Sequence, residues 1–378
     1  MKTGIIGSGA MGTGIAQVAA QAGTDVVITD ANHAALEKAK LSLEATLHTL
    51  EEKGKLKSGE AQAILSRITF AESIHAFAGC DWVIEAIVEK LEVKQAVLRE
   101  AEQVVRPDCV LGTNTSSLSV TAIASACQRP QQVLGIHFFN PAPLMPLVEV
   151  IPALQTSPAL PAGVSAILRS WGKVPVIARD TPGFIVNRVA RPFYGEALRI
   201  YEEGLADMPT IDEAMRKMGF RMGPFELMDL IGNDVNYMVT ESVFQGTYYD
   251  PRYRPSITQK RMTEAGWLGR KTGRGYYDYQ SGAQKPASSG DATLLSQIGQ
   301  RIVLMLINEA CDALYYGIAS KEDLELAMTK GVNYPKGLFA WGEELGWKEC
   351  AATLERLYAH YGEDRYRMSP GMRKFITA

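Results

Sequence analysis

One histidine and one carboxylate stand in runs of sequence where neither is at home. His137 interrupts the apolar stretch GIHFFNPA, residues 135–142, which closes on Asn140-Pro141, and Glu149 interrupts LVEVIP. Taken alone, a histidine in an apolar strand is more often a packed residue with its nitrogens hydrogen-bonded than a catalyst. An acid in an apolar strand is costly to bury unless something pairs with it. Close in chain order, each explains the other. A carboxylate beside an imidazole raises its basicity, fixes its tautomer and leaves the second nitrogen for a proton in transit. The remaining histidines offer less: His33 falls in a turn, His48 on a charged helical segment, His75 in a polar connection and His360 in a helical region near the end.

The start of the chain supplies a reaction for such a pair. IIGSGAMGTG follows the first apolar run directly and sets Gly7, Gly9 and Gly12 at the G-x-G-x-x-G positions, with Ser8, Ala10 and Met11 between them. Gly7 allows the tight turn, Gly9 lets a pyrophosphate approach the backbone, Gly12 permits close helix packing, and the helix N-terminus offers free N–H groups to the anion. The second strand ends in Asp30, where a carboxylate takes a ribose 2′-hydroxyl and repels a 2′-phosphate; Ala31 and Asn32 offer no arginine to offset it. These features predict NAD rather than NADP. Bound nicotinamide implies hydride transfer, and hydride transfer from an alcohol needs a base for the hydroxyl proton. Only His137 is placed at the C-terminal end of a strand, where ligands bind open α/β sheets.

The elements that must position these residues are legible from periodicity. Over residues 1–181, KTGIIG, DVVIT, CDWVIEAI, CVLGTN, QVLGIHFFN, LVEVIP and KVPVIA alternate with amphipathic helical segments, the pattern of a parallel, Rossmann-type α/β sheet. After Asp30 a long charged segment, HAALEKAKLSLEATLHTLEEKGKLKSGEAQAILSRI, is predicted as a helical hairpin projecting from the sheet edge. Lys53, Lys55 and Lys57 at its tip suit an anionic ligand and equally fit a solvated helix end. At Thr181-Pro182-Gly183 the pattern becomes wholly helical, and QSGAQKPASSGDA is linker in composition. The prediction is therefore two all-α domains, 182–280 and 294–378, joined through 281–293. They read as tandem copies. NRVARPFYGEALRIYEEGL lies on QRIVLMLINEACDALYYGI, matching Arg188 with Arg301, Glu196 with Glu309 and Gly204 with Gly317. IDEAM then meets LELAM, and after a two-residue slack GPFELMDLIG meets GLFAWGEELG. Gln300 replaces Asn187, so the second copy is expected to be structural. Arg188 and Arg191 could pair with a distal carboxylate on a ligand, but are expected as ordinary surface charges.

The 378 residues, 46% hydrophobic and 21% charged with a formal net charge of -3, leave no basic footprint for nucleic acid or a membrane surface and point to a small-molecule partner. No run is long and apolar enough to span a bilayer, and Lys2 begins a strand, which makes a cytoplasmic protein the expectation. Cys80, Cys109, Cys127, Cys311 and Cys350 are odd in number and widely spaced, so neither disulfides nor a metal site is indicated. Cys127 is the one worth testing for reactivity.

Together, GSGAMGTGIAQVAAQAG, EAIVEKLEVK, TNTSSLSVTAIA, HFFNPAPLMPLVEV, DTPGFIVNR, MGPFELMDLIG and GRKTGRGYYDY resemble the L-3-hydroxyacyl-CoA dehydrogenases, over nearly all of residues 1–280. The duplicated end, with GVNYPKGLFAWGEELGW, is similar to the bacterial branch acting on 3-hydroxybutyryl-CoA or 3-hydroxyadipyl-CoA, whose members often carry a longer insert between the copies. The resemblance implies helical domains like the C-terminal part of 6-phosphogluconate dehydrogenase and reversible NAD-dependent oxidation of an (S)-3-hydroxyacyl-CoA to the 3-oxoacyl-CoA. It implies His137 as base with Glu149 as its partner, and Ser116 and Asn187 on the substrate. For the cofactor it implies Asp30, Glu89, Lys94, Ser116, Asn140 and Lys271; for coenzyme A, Thr46, which is serine in relatives, and Lys53. The acyl chain is expected in a cleft between the nucleotide domain and the first helical copy. A homo-oligomer is possible, although the second copy is expected to fill the place of a dimer partner. Two rivals stay open: a free hydroxy-acid dehydrogenase of the same superfamily, such as the L-gulonate type, and a non-catalytic NAD-binding protein like the lens crystallins of this fold.

Overall fold

The computed structural model describes residues 1–284 and 286–376. Lys285 of the expected linker, and Thr377 and Ala378 at the end of the expected second copy, lie outside the described residues. The chain divides into two compact units, Met1–Thr181 and Pro182–Ala378.

The first unit is one eight-stranded sheet. Its strands are β1 (Lys2–Ile6), β2 (Asp25–Thr29), β3 (Ile68–Ala71), β4 (Trp82–Glu85), β5 (Val110–Thr113), β6 (Val133–Phe138), β7 (Leu147–Pro152) and β8 (Val174–Ile177). They lie in the order β3-β2-β1-β4-β5-β6-β7-β8. Its helices are α1 (Ala10–Gln21), α2 (His33–Glu52), α3 (Glu60–Leu65), α4 (Leu91–Val104), α5 (Val120–Ala124) and α6 (Leu160–Ser170). The order turns outward in both directions from the β1–β4 boundary, the switch point at which open α/β sheets bind ligands.

Two features depart from the sequence reading. The sheet is not wholly parallel, because β7 runs antiparallel to β6 and β8 follows the direction of β7. Only residues 139–146 join β6 to β7, too few for the crossover that a parallel return needs. In addition, Ile68, the last residue read as helical hairpin, begins β3, a strand beside β2 that the reading did not include. The hairpin itself does not simply project. Asn32 caps α2 by accepting from the Ala35 amide, and the buried stripe Leu36, Leu43 and Leu47, with Ala61 and Ile64 of α3, joins the core around Ile15, Ile28 and Trp82. Its outer face, including Lys53, Lys55 and Lys57, is exposed.

The second unit is helical: α7 (Val186–Val189), α8 (Arg191–Glu202), α9 (Met208–Lys217), α10 (Pro224–Ile231), α11 (Asn233–Gly246), α12 (Ile257–Glu264), α13 (Ala292–Tyr315), α14 (Lys321–Leu326), α15 (Leu338–Leu345), α16 (Trp347–Tyr361) and α17 (Arg373–Ile376). The two copies pack on each other within this unit. Arg188 Nε donates to Glu309 at 2.9 Å, and its counterpart Arg301 donates to Glu196 at 2.6 Å. Tyr253 donates to Glu309, and Tyr366 donates to Glu196 at 2.7 Å. Each glutamate thus takes an arginine from the opposite copy, the self-complementary arrangement of a two-fold interface inside one chain. The repeat extends to capping: Asp212 accepts from the Phe225 and Glu226 amides, and Glu325 accepts from those of Phe339 and Ala340. The expected two-residue slack is a single residue, since Asp212 answers to Glu325 and Gly223 to Gly337. The π turn Ala327–Gly331, directly after α14, absorbs it.

Arg188 and Arg191 are not surface charges. Arg188 is buried against Glu309 and Asp312, and Arg191 is buried with its guanidinium on Thr240 Oγ1 and the Asn236 carbonyl.

All five cysteines are buried and free. Burial pushes the Cys127 thiol up to about 11, Cys80 and Cys350 likewise to about 11, and Cys109 to about 12; Cys311 is also raised. Cys127 is therefore no readier to react than the rest. Folded pKa values above the unfolded value mean that this part of the stability is present below pH about 9 and is lost as pH rises toward 11. At pH 8 an aromatic disulfide reagent should modify five thiols in denaturant and none in the native chain within minutes.

Candidate active site

Antiparallel pairing sets His137 directly opposite Glu149, so both side chains leave the sheet on the same face. Nδ1 of His137 lies 2.7 Å from Glu149 Oε2, with 6% of the histidine and 0% of the glutamate exposed. An ionised carboxylate only accepts, so Nδ1 carries the proton and Nε2 is the accepting nitrogen. The Phe139 ring flanks the imidazole at 4.5 Å. Beyond it the cis Asn140–Pro141 bond begins the loop back to β7, and Asn114 Oδ1 holds the end of β6 through the Phe138 amide at 2.8 Å.

The glycine loop lies at the switch point. Gly7 adopts φ +102, and a Cβ there would stand 2.6 Å from the Ala86 carbonyl; at Gly12 it would stand 1.9 Å from the Gly7 carbonyl. Both glycines are required by the protein itself. Gly9 is different, because a Cβ there meets nothing within 4 Å. The first ladder bond of α1 runs from Thr13 to Gly9, which leaves the amides of Ala10, Met11 and Gly12 ahead of it as donors to an anion. The open side at Gly9 and these amides fit a dinucleotide pyrophosphate.

At the end of β2, Asp30 accepts from the Ser8 amide at 2.7 Å, the Ser8 hydroxyl at 2.9 Å and the Asn32 amide at 2.9 Å. Burial works against its charge, yet these hydrogen bonds prevail and hold the carboxyl below its usual range. Beside β5, Glu89 Oε1 gathers the loop carrying Ser116, accepting from Thr115 Oγ1 at 2.6 Å and from the Ser116 and Ser117 amides at 2.8 and 3.1 Å. Burial opposes this charge too, but the Lys94 ammonium and these donors keep the Glu89 carboxyl low.

Lys94 does not stand at the surface. It is fully buried, bidentate on Glu85 at 2.9 Å and 3.2 Å from Glu89. Sequence reasoning passed over Glu85, although it carried the same signal as Glu149: an acid inside an apolar strand. It also passed over Lys173, which donates to the Ala142 and Met145 carbonyls.

The remaining expected residues are spread more widely. Thr46 lies on the exposed face of α2, donating to the Ser42 carbonyl, and Lys53 is the exposed residue that ends that helix. In the second unit Asn187 lies in α7, and Lys271 is half-exposed in a turn, paired with Asp234 at 2.6 Å. No cluster of three or more histidine, cysteine or acidic side chains suited to a metal occurs among the described residues, and no helix among them is long and apolar enough to cross a membrane.

Residues 2–181 match the NAD-binding domain of 3-hydroxyacyl-CoA dehydrogenase, and residues 183–279 and 298–378 match its C-terminal domain. The chain belongs to the 3-hydroxyacyl-CoA dehydrogenase family. It is an NAD-dependent 3-hydroxyacyl-CoA dehydrogenase in class, with a Rossmann-type domain followed by the duplicated helical part. It is 39% identical over 451 residues, covering 96% of this chain and 94% of the relative, to 3-hydroxyadipyl-CoA dehydrogenase of Escherichia coli strain K12. A probable 3-hydroxybutyryl-CoA dehydrogenase of Deinococcus radiodurans is 44% identical over 280 residues, which cover 74% of this chain and 100% of that one. Among solved structures, one of 3-hydroxybutyryl-CoA dehydrogenase from Escherichia coli K12 is similar with a TM-score of 0.95 at 37% identity, over 100% of this chain and 98% of that one.

The dehydrogenase offers a clean separation of folding from cofactor binding at Gly9. G9A adds a methyl group where the protein leaves space, so the thermal midpoint without ligand should stay within about 2 °C. Affinity for NAD, read by calorimetry, should fall at least about tenfold, equivalent to about 1.4 kcal/mol.

Proposed function

We propose that His137 is the general base for oxidation at C3 of a short-chain (S)-3-hydroxyacyl-CoA, 3-hydroxybutyryl-CoA first, with Glu149 orienting the ring. The observation that carries this reading is the buried His137–Glu149 hydrogen bond. A carboxylate there selects the Nδ1–H tautomer and points Nε2 toward a hydroxyl proton. NAD, when bound, supplies the hydride acceptor. As the hydride leaves C3, the hydroxyl proton passes to Nε2 and the C–O bond becomes a carbonyl; in reduction the imidazolium returns that proton. Glu149 stabilises the imidazolium formed, and the hydrogen-bonded loop at Ser116 places a hydroxyl for the substrate oxygen. Asn187 is assigned to the acyl-CoA, Asp30, Glu89, Asn140 and Lys271 to the cofactor with Lys94 acting through Glu89, and Thr46 and Lys53 to coenzyme A.

H137Q should lower kcat by about 10²–10⁴ while NAD affinity stays within about twofold. Activity retained within a few-fold would remove His137 from the base role.

A second reading, 3-hydroxyadipyl-CoA, is supported by the relative of that name, 39% identical over 96% of this chain. Comparing kcat/KM for 3-hydroxybutyryl-CoA, 3-hydroxyadipyl-CoA and a long-chain analogue decides between them. The short-chain reading expects the four-carbon substrate to lead by at least about tenfold over the long-chain analogue. A lead of that size for the adipyl substrate would replace it.

A further inference from the structure

Gly172, at φ +75, ends α6 and turns the chain so that the next side chain, Lys173, runs inward before β8 begins. Lys173 is 8% exposed, and no carboxylate lies within ion-pairing distance of it among the described residues. Its ammonium donates to the Ala142 carbonyl at 2.6 Å and to the Met145 carbonyl at 2.9 Å. Burial alone pushes it down to about 8. An ammonium at this depth with no counter-charge beside it is costly to desolvate, and only its two carbonyl acceptors offset that cost. What the lysine adds is a pair of directed donors to the backbone of one loop.

That loop, residues 139–146, joins His137 to Glu149. It is clamped from both sides. On the β8 side the Val174 amide donates to the Pro146 carbonyl at 2.8 Å, next to the Lys173 contacts. On the other side α1, the helix that opens at the glycine loop, approaches so closely at Gly14 that an added Cβ would stand 3.2 Å from Ala142 and 3.2 Å from Pro143. Inside the loop, the Leu144 and Met145 amides both donate to the Pro141 carbonyl. A shift of the loop would move the two strand ends that carry the histidine and the glutamate, along with Asn140.

We propose that Lys173 is a positioning residue for the base: by holding the Ala142 and Met145 carbonyls it fixes the 139–146 loop against α1 and keeps His137 in register with Glu149. The proposal rests on reading His137 as the base. The expected signature is a loss of turnover without a matching loss of substrate binding, because the interaction aims a reacting group rather than holding the ligand.

The test uses full-length K173M, K173R and H137Q. Proton NMR identifies the low-field imidazole N–H of His137 by its absence in H137Q, and steady-state kinetics give kcat and KM for NAD and the acyl-CoA. Folded K173M should lose about 10–100-fold in kcat with KM for the acyl-CoA within about threefold. The His137 resonance should shift or broaden, and K173R, which keeps two donors, should recover most of both readouts. If K173M does not fold, K173Q, with a shorter amide donor, is measured in its place. A folded variant with kcat within about twofold of the parent, or with an unmoved His137 resonance, overturns the proposal. Retained activity in H137Q would instead overturn the base reading, and the resonance would still report whether Lys173 sets the position of the ring.

Discussion

One cross-strand hydrogen bond, 2.7 Å from His137 Nδ1 to Glu149, is what the rest of the first unit exists to hold. It depends on the direction of a single strand. Directly opposed residues of an antiparallel pair project together from one face and lie within side-chain reach. A parallel β7 would have needed a long crossover and would have drawn its register from other contacts. The short connection thus does two things at once: it reverses the chain and selects which acid meets the histidine. The buried carboxylate depends on this bond, because a buried acceptor left without its donor carries its full desolvation cost, about 1–3 kcal/mol or more for a charged group.

Around this bond, buried charge is used repeatedly to fix backbone. Glu89 gathers the Thr115–Ser117 loop and is itself balanced by Lys94, which leans on Glu85. Asp30 joins the end of β2 to the glycine loop through Ser8. In each case a side chain from one strand end organises the loop of a neighbour, so the ligand-facing edge is a connected set of hydrogen bonds rather than a row of independent turns. The second unit applies the same device to packing, with Glu196 and Glu309 exchanged between the copies.

The sequence made the chemistry more legible than the geometry. The glycine loop, Asp30 and the His137–Glu149 pairing could be read because each is a local conflict: glycines crowded at one turn, or a charge in an apolar run. The break at Thr181 was also visible, because the alternation of apolar strands and amphipathic helices gives way there to a wholly helical period. Strand direction was hidden, since LVEVIP reads the same either way, and β3 was hidden because its four residues follow a helix without punctuation. The depth of Arg188 was invisible for a different reason. Its partner Glu309 is 121 residues away, and no local pattern announces it. Lys94 is the reverse case: the resemblance named the residue, while its fully buried setting between two carboxylates was not legible.

The π turn at Ala327–Gly331 shows what duplication released. One added residue rotates everything beyond it on a helix by about a quarter turn. Such a change is harmless where side chains need only fill space, and the capping contacts of Glu325 re-form on the far side of it. In the first copy the corresponding stretch leads to α10 and then to Asp234, which holds Lys271. A comparable insertion there would re-aim both. The two halves of the helical unit therefore differ by one residue at this turn, and the second copy takes it up without losing the Glu325 cap.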